Sequence, residues 1–383
     1  MRIHFIAIGG SAMHNLAIAL HKKGYQVSGS DDAIFDPSAS RLQKHGIFPK
    51  QMGWDEANIS PDIDAIILGM HALKDNPELL RAQEMGLRIY SYPEYIYEQT
   101  KDKMRVVIGG SHGKTTITSM ILHVLNHHNK DFDYLVGAQL AGFDTMVKVT
   151  ESAPVIIIEG DEYLSSPIDR RPKFHLYKAN IAVISGIAWD HINVFPTYQE
   201  YVRQFEIFVE TIQPEGVLIY CLADEDLCQI VQNADNSVPK IGYDIPKHVV
   251  KEGVTYLLPD EIPLKIFGDH NLMNLNAAKH VCEQLGIYGA AFNEAIASFT
   301  GASKRLELLS SLNKTNVYKD FAHSPSKLKA TIEAVKLQFE ERKLVACIEL
   351  HTFSSLNKAF LTQYANTMTK ADIRIVYMLV VLA

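Results

Sequence analysis

The sequence predicts an α/β protein of three domains, each built on a mostly parallel sheet. Three observations carry that expectation. Short continuous apolar runs rich in β-branched residues recur at 3–8, 65–68, 155–158 and 181–184, as expected of strands buried on both faces. Two strand patterns, at 3–8 and 105–108, run directly into a glycine turn and then a helix pattern, the order of parallel units. The length of 383 residues exceeds one ordinary domain.

The first domain is placed at 1–100, with a strand at 3–8, Gly9-Gly10, a helix at 11–23, a strand at 25–28 and a third at 65–68. The lysine-bearing stretch 98–103 reads as a linker. A second domain, 104–298, opens with the strand 105–108, a glycine loop and a helix at 114–126. It continues through 155–158 and 181–184 and closes on a helix at 270–285. The third, 301–383, has strands at 317–319 and 344–348 around a helix at 326–338. Residues 373–383 read as one more buried strand. A parallel strand normally continues into a crossover helix, so this third domain is expected to be incomplete; the alternative is a true edge strand.

Composition narrows the function classes. A hydrophobic content of 47% with 21% charged residues describes a soluble globular chain. The formal net charge of −7 argues against a general nucleic-acid binder. Cys221, Cys228, Cys282 and Cys347 have neither a zinc-like spacing nor a disulfide framework, and fit reduced thiols of a cytoplasmic protein. No apolar run approaches the roughly 20 residues that span a bilayer, and the start has no signal-peptide pattern. The sequence sets no oligomeric state.

Chemistry concentrates at Gly110-Ser111-His112-Gly113-Lys114-Thr115-Thr116. Glycines let backbone approach a phosphate, and N–H groups at a helix start favour an anion. Lys114 can neutralise β/γ-phosphate oxygens, and the Thr115 hydroxyl is placed to ligate Mg²⁺. Ile108 stands where the usual pattern has its first glycine, so the loop is a compressed variant using Gly109 and Gly110. Glu159-Gly160-Asp161-Glu162 follows one buried strand and Asp190-His191 another, where a phosphate-bound metal needs ligands. Near the start, Ile8-Gly9-Gly10-Ser11 departs from G-x-G-x-x-G, with Asp31 21 residues after Gly10. This turn fits NAD, a UDP-sugar or a plain tight turn equally.

Taken in order, IGGSAM at 8–13, SGSD at 28–31, KDNPE at 74–78, GSHGKTT at 110–116, EGDEY at 159–163, WDH at 189–191, HNLMN at 270–274 and DFAHSP at 320–325 resemble the Mur ligases, the ATP-dependent amide-forming enzymes of peptidoglycan synthesis. The resemblance covers nearly the whole chain. It implies a Rossmann-like UDP-binding domain, a central P-loop ATPase and a Rossmann-like C-terminal ligase domain. It implies that the loop 110–116 and Asn274, Arg305 and Asp320 hold ATP, and that Thr115, Glu159 and His191 bind magnesium. Lys114, Glu159 and His191 would be catalytic, and Gly9, Gly10, Ser11, Asp31 and His71 would face the UDP group.

Two branches of the family accept UDP-N-acetylmuramate, one adding L-alanine and one adding L-alanyl-γ-D-glutamyl-meso-diaminopimelate. DEY at 161–163, DRRPKF at 169–174, RLEL at 305–308 and VYKDFAH at 317–323 resemble the tripeptide-adding branch. The alanine-adding branch has a serine where Tyr163 stands, and an arginine where Thr352 follows His351. The tripeptide is therefore the expected acceptor, L-alanine the alternative, and a binding protein that has lost catalysis the reading of another class. An oxidoreductase using NAD would leave the second loop unexplained.

Overall fold

The computed structural model describes residues 1–140, 142–189, 194–302, 305–351 and 355–378. They divide into two compact units: 1–118 with 128–242, and 119–127 with 243 onward. The sheets are mostly parallel with helices between them, as expected.

The first unit opens with β1 (Arg2–Ile6), α1 (Ser11–Lys22), β2 (Gln26–Ser30), α2 (Ser38–Lys44), β3 (Ala65–Leu68), α3 (Pro77–Glu84), β4 (Ile89–Ser91) and α4 (Tyr92–Thr100). Four strands pair in the order β2-β1-β3-β4, all parallel. Ile3, Phe5, Ile6 and 65–68 are buried, which explains their continuous apolar character. Gly29 lies where a Cβ would meet Ile8 Cδ1 at 2.6 Å, so only glycine lets β2 run this close to the end of β1. The KDNPE motif builds structure. Asn76 accepts hydrogen bonds from the N–H groups of Glu78 and Leu79 and caps α3, with Pro77 in the first turn; such a cap contributes about 1 kcal/mol. Glu78 then enters the core. Asn58 Nδ2 and the Asp55 N–H donate to its Oε1 at 2.8 and 3.0 Å, and Ser30 to its Oε2. Burial alone would raise its pKa, but the hydrogen bonds from His4, Asn58, Ser30 and Asp55 hold it below the usual value.

The chain continues through β5 (Met104–Gly109), α5 (Lys114–His127), β6 (Asp133–Leu135), β7 (Val147–Lys148), β8 (Val155–Glu159), α6 (Lys173–Leu176), β9 (Ile181–Ile184), α7 (Tyr198–Glu210), β10 (Val217–Cys221), α8 (Glu225–Asn233) and β11 (Lys240–Tyr243). Their strands form a seven-stranded sheet, β11-β10-β9-β5-β8-β6-β7. The expected linker at 98–103 is shorter than its polarity suggested, because α4 runs to Thr100. Nor is it loose. The buried Arg105 guanidinium donates to the carbonyls of Thr100, Lys101, Lys103, Tyr177 and Lys178 at 2.8–3.1 Å. An ionised side chain spread over five carbonyls fixes both segments it touches.

The second unit carries β12 (His248–Lys251), β13 (Val254–Leu257) and β14 (Ile262–Leu264), an antiparallel meander that the sequence reading missed. It then has α9 (Asp269–Gln284), α10 (Gly289–Ala297), a hairpin of β15 (Glu307–Leu312) and β16 (Thr315–Lys319), α11 (Pro325–Gln338), β17 (Val345–Leu350), α12 (Lys358–Leu361) and β18 (Ile373–Met378). Leu328 and Ile332 of α11 pack with Ala346, Ile348 and Leu350 of β17. β18 pairs parallel with β17, as expected, but it is exposed along its length and not buried. The apolar cluster under α11 takes in β17 and, before β18, Met368 and Ala371, and includes no residue of β18. The last part of that expected strand, Val380 to Ala383, lies outside the described residues.

Candidate functional site

In the seven-stranded sheet β5 lies between β8 and β9, and the chain passes from β8 on one side of it to β9 on the other. The crevice beyond the carboxyl ends at such a reversal of strand order is the binding place of open α/β sheets. The glycine loop leaves β5 at this point, Glu159 ends β8, and Ser185 follows β9.

Gly110 has φ +122°, and a Cβ there would collide with Ser185 Oγ, so the turn admits no side chain. Ser185 anchors the loop: its N–H donates to the Gly109 carbonyl at 3.2 Å and its hydroxyl to that of His112. The Ser111 N–H donates to the Gly186 carbonyl at 2.9 Å. Gly113, at φ +80°, turns the chain into α5, which starts at Lys114. A helix start leaves its first N–H groups without intrahelical acceptors, which suits a phosphate. Thr116 is buried in this first turn.

Two acidic side chains meet the loop. The Thr115 hydroxyl donates to Glu159 Oε1 at 2.8 Å, and the Gly137 N–H donates to Oε2 at 2.7 Å. Burial pushes the Glu159 carboxyl above its usual range, against the opposing pull of these two donors and of Lys114. A Cβ on Gly137 would lie 2.8 Å from Glu159 Oε1, so the carboxylate rests on that glycine. Lys114 Nζ donates to Glu162 Oε2 at 2.7 Å and to the Gly110 carbonyl. Burial alone would lower the Lys114 pKa, but Glu162, Asp161 and Glu159 together hold it above the usual lysine value. Asp161 acts on this cluster by its charge while its direct partners lie elsewhere: it takes an ion pair from Lys173 at 2.6 Å and a hydrogen bond from the Tyr163 N–H.

The hydroxyl and carboxylate of Thr115 and Glu159 form a hard oxygen pair at the mouth of a phosphate loop. That donor set fits Mg²⁺, which commonly binds through one or two protein oxygens plus substrate phosphates and water. The expected third ligand, His191, lies outside the described residues. Among the described residues no group of three or more His, Cys, Asp and Glu side chains forms a closed metal cage.

The N-terminal sheet also reverses strand order, between β1 and β3. The turn Ala7-Ile8-Gly9-Gly10 leaves β1, Ser11 opens α1, and exposed His71 lies shortly beyond β3. Asp31 Oδ2 accepts from the Gly9 N–H at 2.7 Å and Oδ1 from the Asp32 N–H at 3.0 Å. Gly9 lies against this carboxylate, since a Cβ there would meet Asp31 Oδ2 at 2.9 Å. Burial raises the Asp31 pKa, which the Gly9 hydrogen bond opposes. Asp31 therefore shapes the turn with the same carboxylate that was expected to face the UDP group. Asn15 of α1 reaches the residue before β7: its Oδ1 accepts from the Met146 N–H at 3.0 Å.

The remaining expected nucleotide residues belong to the second unit. Asn274 is half-buried on α9, one turn after His270. The Asp320 carboxylate accepts from the Thr331 hydroxyl and raises the pKa of His270 against the stronger lowering by burial. The Arg305 guanidinium stacks over Phe321 at 4.9 Å. Sequence reasoning missed Gly137, Ser185 and the Lys114 partner Glu162. Glu162 stood within the EGDEY motif, whereas Gly137 and Ser185 are single residues after strands and carry no local signal.

Residues 2–103 match the model of the Mur ligase family catalytic domain, and 108–282 that of the Mur ligase middle domain. The UDP-N-acetylmuramate–L-alanine ligase of Caldicellulosiruptor bescii is 33% identical over 96% of this chain and 81% of its own length. Two solved structures share the fold. One is the UDP-N-acetylmuramate–alanine ligase of Thermotoga maritima, at 23% identity and TM-score 0.73, covering 99% of this chain and 86% of that one. The other is the UDP-N-acetylmuramate:L-alanyl-γ-D-glutamyl-meso-diaminopimelate ligase of Neisseria meningitides, at 24% identity and TM-score 0.70, covering 78% and 98%. With both switch points built around glycine turns and both family models matched in order, the chain belongs to the Mur ligase family.

Proposed function

We propose that the chain joins the lactyl carboxylate of UDP-N-acetylmuramate to an amine at the expense of ATP. Family members are ADP-forming ligases, and this chain is an enzyme of that type. The observation that carries the proposal is the convergence of Lys114, Thr115 and Glu159 at the β5 switch point.

A lactyl carboxylate oxygen attacks the γ-phosphorus, the bond to the β-phosphate oxygen breaks, and ADP leaves. The amine then attacks the acyl carbon, phosphate departs with the transferred oxygen, and the amine sheds a proton to water. The protein supplies position and charge. Lys114 neutralises phosphate oxygens from a site already fixed by the Gly110 carbonyl, and the α5 N-terminus adds its N–H groups. Thr115 and Glu159, with His191, are the residues that would hold magnesium. A bound magnesium ion would spread the developing charge on the phosphate. In the second unit, Asn274 is assigned to adenine, Arg305 to phosphate and Asp320 to the ATP ribose. Gly9, Gly10, Ser11 and His71 receive the UDP group on a turn that Asp31 braces. We read the chain as three domains, 1–100, 104–298 and 301–383, in a cytoplasmic enzyme; no described helix is long and apolar enough to cross a membrane.

For the acceptor, the name carried by the 33%-identical relative favours L-alanine over the tripeptide that the motifs put first. One observation keeps the tripeptide as a second reading. The loop after β8, which carries DEY and DRRPKF, is a built structure: Leu164 bridges Pro172, and Arg171 pairs with Asp169 and with Glu94 at 2.6 and 3.1 Å. Phosphate release is measured with UDP-N-acetylmuramate and ATP, adding L-alanine in one tube and tripeptide in another. Release with L-alanine alone supports the first reading, and release with tripeptide alone replaces it with the second. Release with neither, in a protein that binds both nucleotides, points to a chain that has lost catalysis.

A further inference from the structure

The partner of Lys114 is a carboxylate that the reaction does not require. The Glu162 side chain is 1% exposed and that of Lys114 15%. A buried carboxylate is tolerated only with a close counter-charge, and Lys114 Nζ at 2.7 Å supplies it. The second Glu162 oxygen accepts from the Tyr201 hydroxyl at 3.4 Å, so the acid is held from the side of α7 as well. Glu162 leaves the end of β8 three residues after Glu159, within the strand-end turn tied down by Lys173 and Asp161. The amine is thus held between a neutral acceptor of its own loop, the Gly110 carbonyl, and a charged one from the next strand.

We propose that Glu162 is a positioning residue that competes with nucleotide phosphate for Lys114. It holds the amine at the loop and weakens phosphate binding, so that nucleotide is bound reversibly and ADP leaves. This rests on the assignment of the loop to ATP. A phosphate arriving at Lys114 either displaces the carboxylate or shares the amine with it. In both cases a buried negative charge stands near the anion, and at about 4 Å such a pair is costly even in a moderately polar interior. The Gly110 carbonyl keeps the amine in place when the carboxylate charge is removed, so Glu162→Gln loses the competition and keeps the geometry.

ADP affinity is measured by calorimetry on the full chain, unmodified and as Glu162→Gln, Glu162→Asp and Lys114→Ala, with thermal melting as a check on folding. Glu162→Gln is expected to bind ADP roughly tenfold more tightly, and turnover to fall together with the KM for ATP. Glu162→Asp keeps the charge but draws it back from the amine, so it tightens binding by less. A purely structural role would lower the melting temperature and leave ADP affinity unchanged or weaker; unchanged or weaker binding in folded Glu162→Gln overturns the proposal. Should Glu162→Gln not fold, Glu162→Asp decides by the same criterion. Lys114→Ala tests the underlying assignment separately: retained ADP affinity there removes the loop from the ATP site, whatever Glu162 does.

Discussion

The two glycine turns of the first unit occupy the same topological place, yet they use their acids in opposite ways. At the N-terminal turn both Asp31 oxygens are taken by backbone N–H groups, of Gly9 and Asp32. The acid is part of the scaffold. At the β5 loop the acids also meet side chains: Glu159 takes the Thr115 hydroxyl beside the Gly137 N–H, and Glu162 takes the Lys114 amine. On the proposed function, those side-chain partners exchange for phosphate and metal without dismantling the turn. One site is shaped by its charge, and the other holds its charge ready for a ligand. Topology therefore locates a site, while the partners of its charged groups tell what the site can do.

Substitutions can break this contrast, and the largest effect is expected from Lys114→Ala. It removes the cation proposed to face phosphate and should lower ADP formation by about three orders of magnitude or more; near-normal turnover would end the assignment. Gly137→Ala comes next. Its Cβ displaces Glu159, so the magnesium concentration for half-maximal rate should rise roughly tenfold while UDP-sugar affinity holds. His191→Ala should likewise raise the magnesium requirement, and an unchanged titration would take His191 out of the site. At the other turn, Asp31→Ala leaves the Gly9 and Asp32 N–H groups without their acceptor, a loss of about 1–3 kcal/mol. Melting should fall and the KM for UDP-sugar rise, with ADP affinity untouched; a drop in ADP affinity would erase the distinction between the turns.

The smallest effect concerns pH at the first turn. His14 on α1 contacts the Gly10 carbonyl and the Ser38 hydroxyl; burial, opposed by the Gly10 hydrogen bond and aided by Arg41, pushes its pKa below the usual value. The unfolded chain binds that proton more readily, so the stabilisation is complete above about pH 6.5 and is lost as pH falls through the lowered folded value. Melting temperature should decline from pH 7 towards pH 5, and His14→Gln should flatten that decline. An identical decline in the variant would assign it to other groups.

Much of this architecture was legible because buried parallel strands write continuous apolar runs. Strands β1, β3, β5, β8 and β9 were all read within a residue or two at their buried centres. The meander of β12 to β14 was not. Its half-buried strands are short and polar on one side, and Pro259 and Pro263 interrupt the pattern. Elements β10 and β11 were also passed over, although Leu218 and Ile219 are buried. At the site, the loop and Glu159 were legible as types of residue at strand ends. What was not legible is pairing: that Asp161 turns to Lys173, that Glu162 takes Lys114, and that Asp31 accepts from N–H groups of its own turn. Such choices are made by three-dimensional distance, and sequence spacing carries no record of them.

The central claim is that Lys114 and its neighbours transfer the γ-phosphoryl group to a carboxylate of the UDP-sugar. The direct test uses UDP-N-acetylmuramate labelled with ¹⁸O in the lactyl carboxylate, with ATP, magnesium and L-alanine or the tripeptide, and mass analysis of the released phosphate. An acyl-phosphate route predicts that one labelled oxygen appears in the phosphate for each amide bond formed. Unlabelled phosphate would mean that water, and not the carboxylate, receives the phosphoryl group, and would contradict the account.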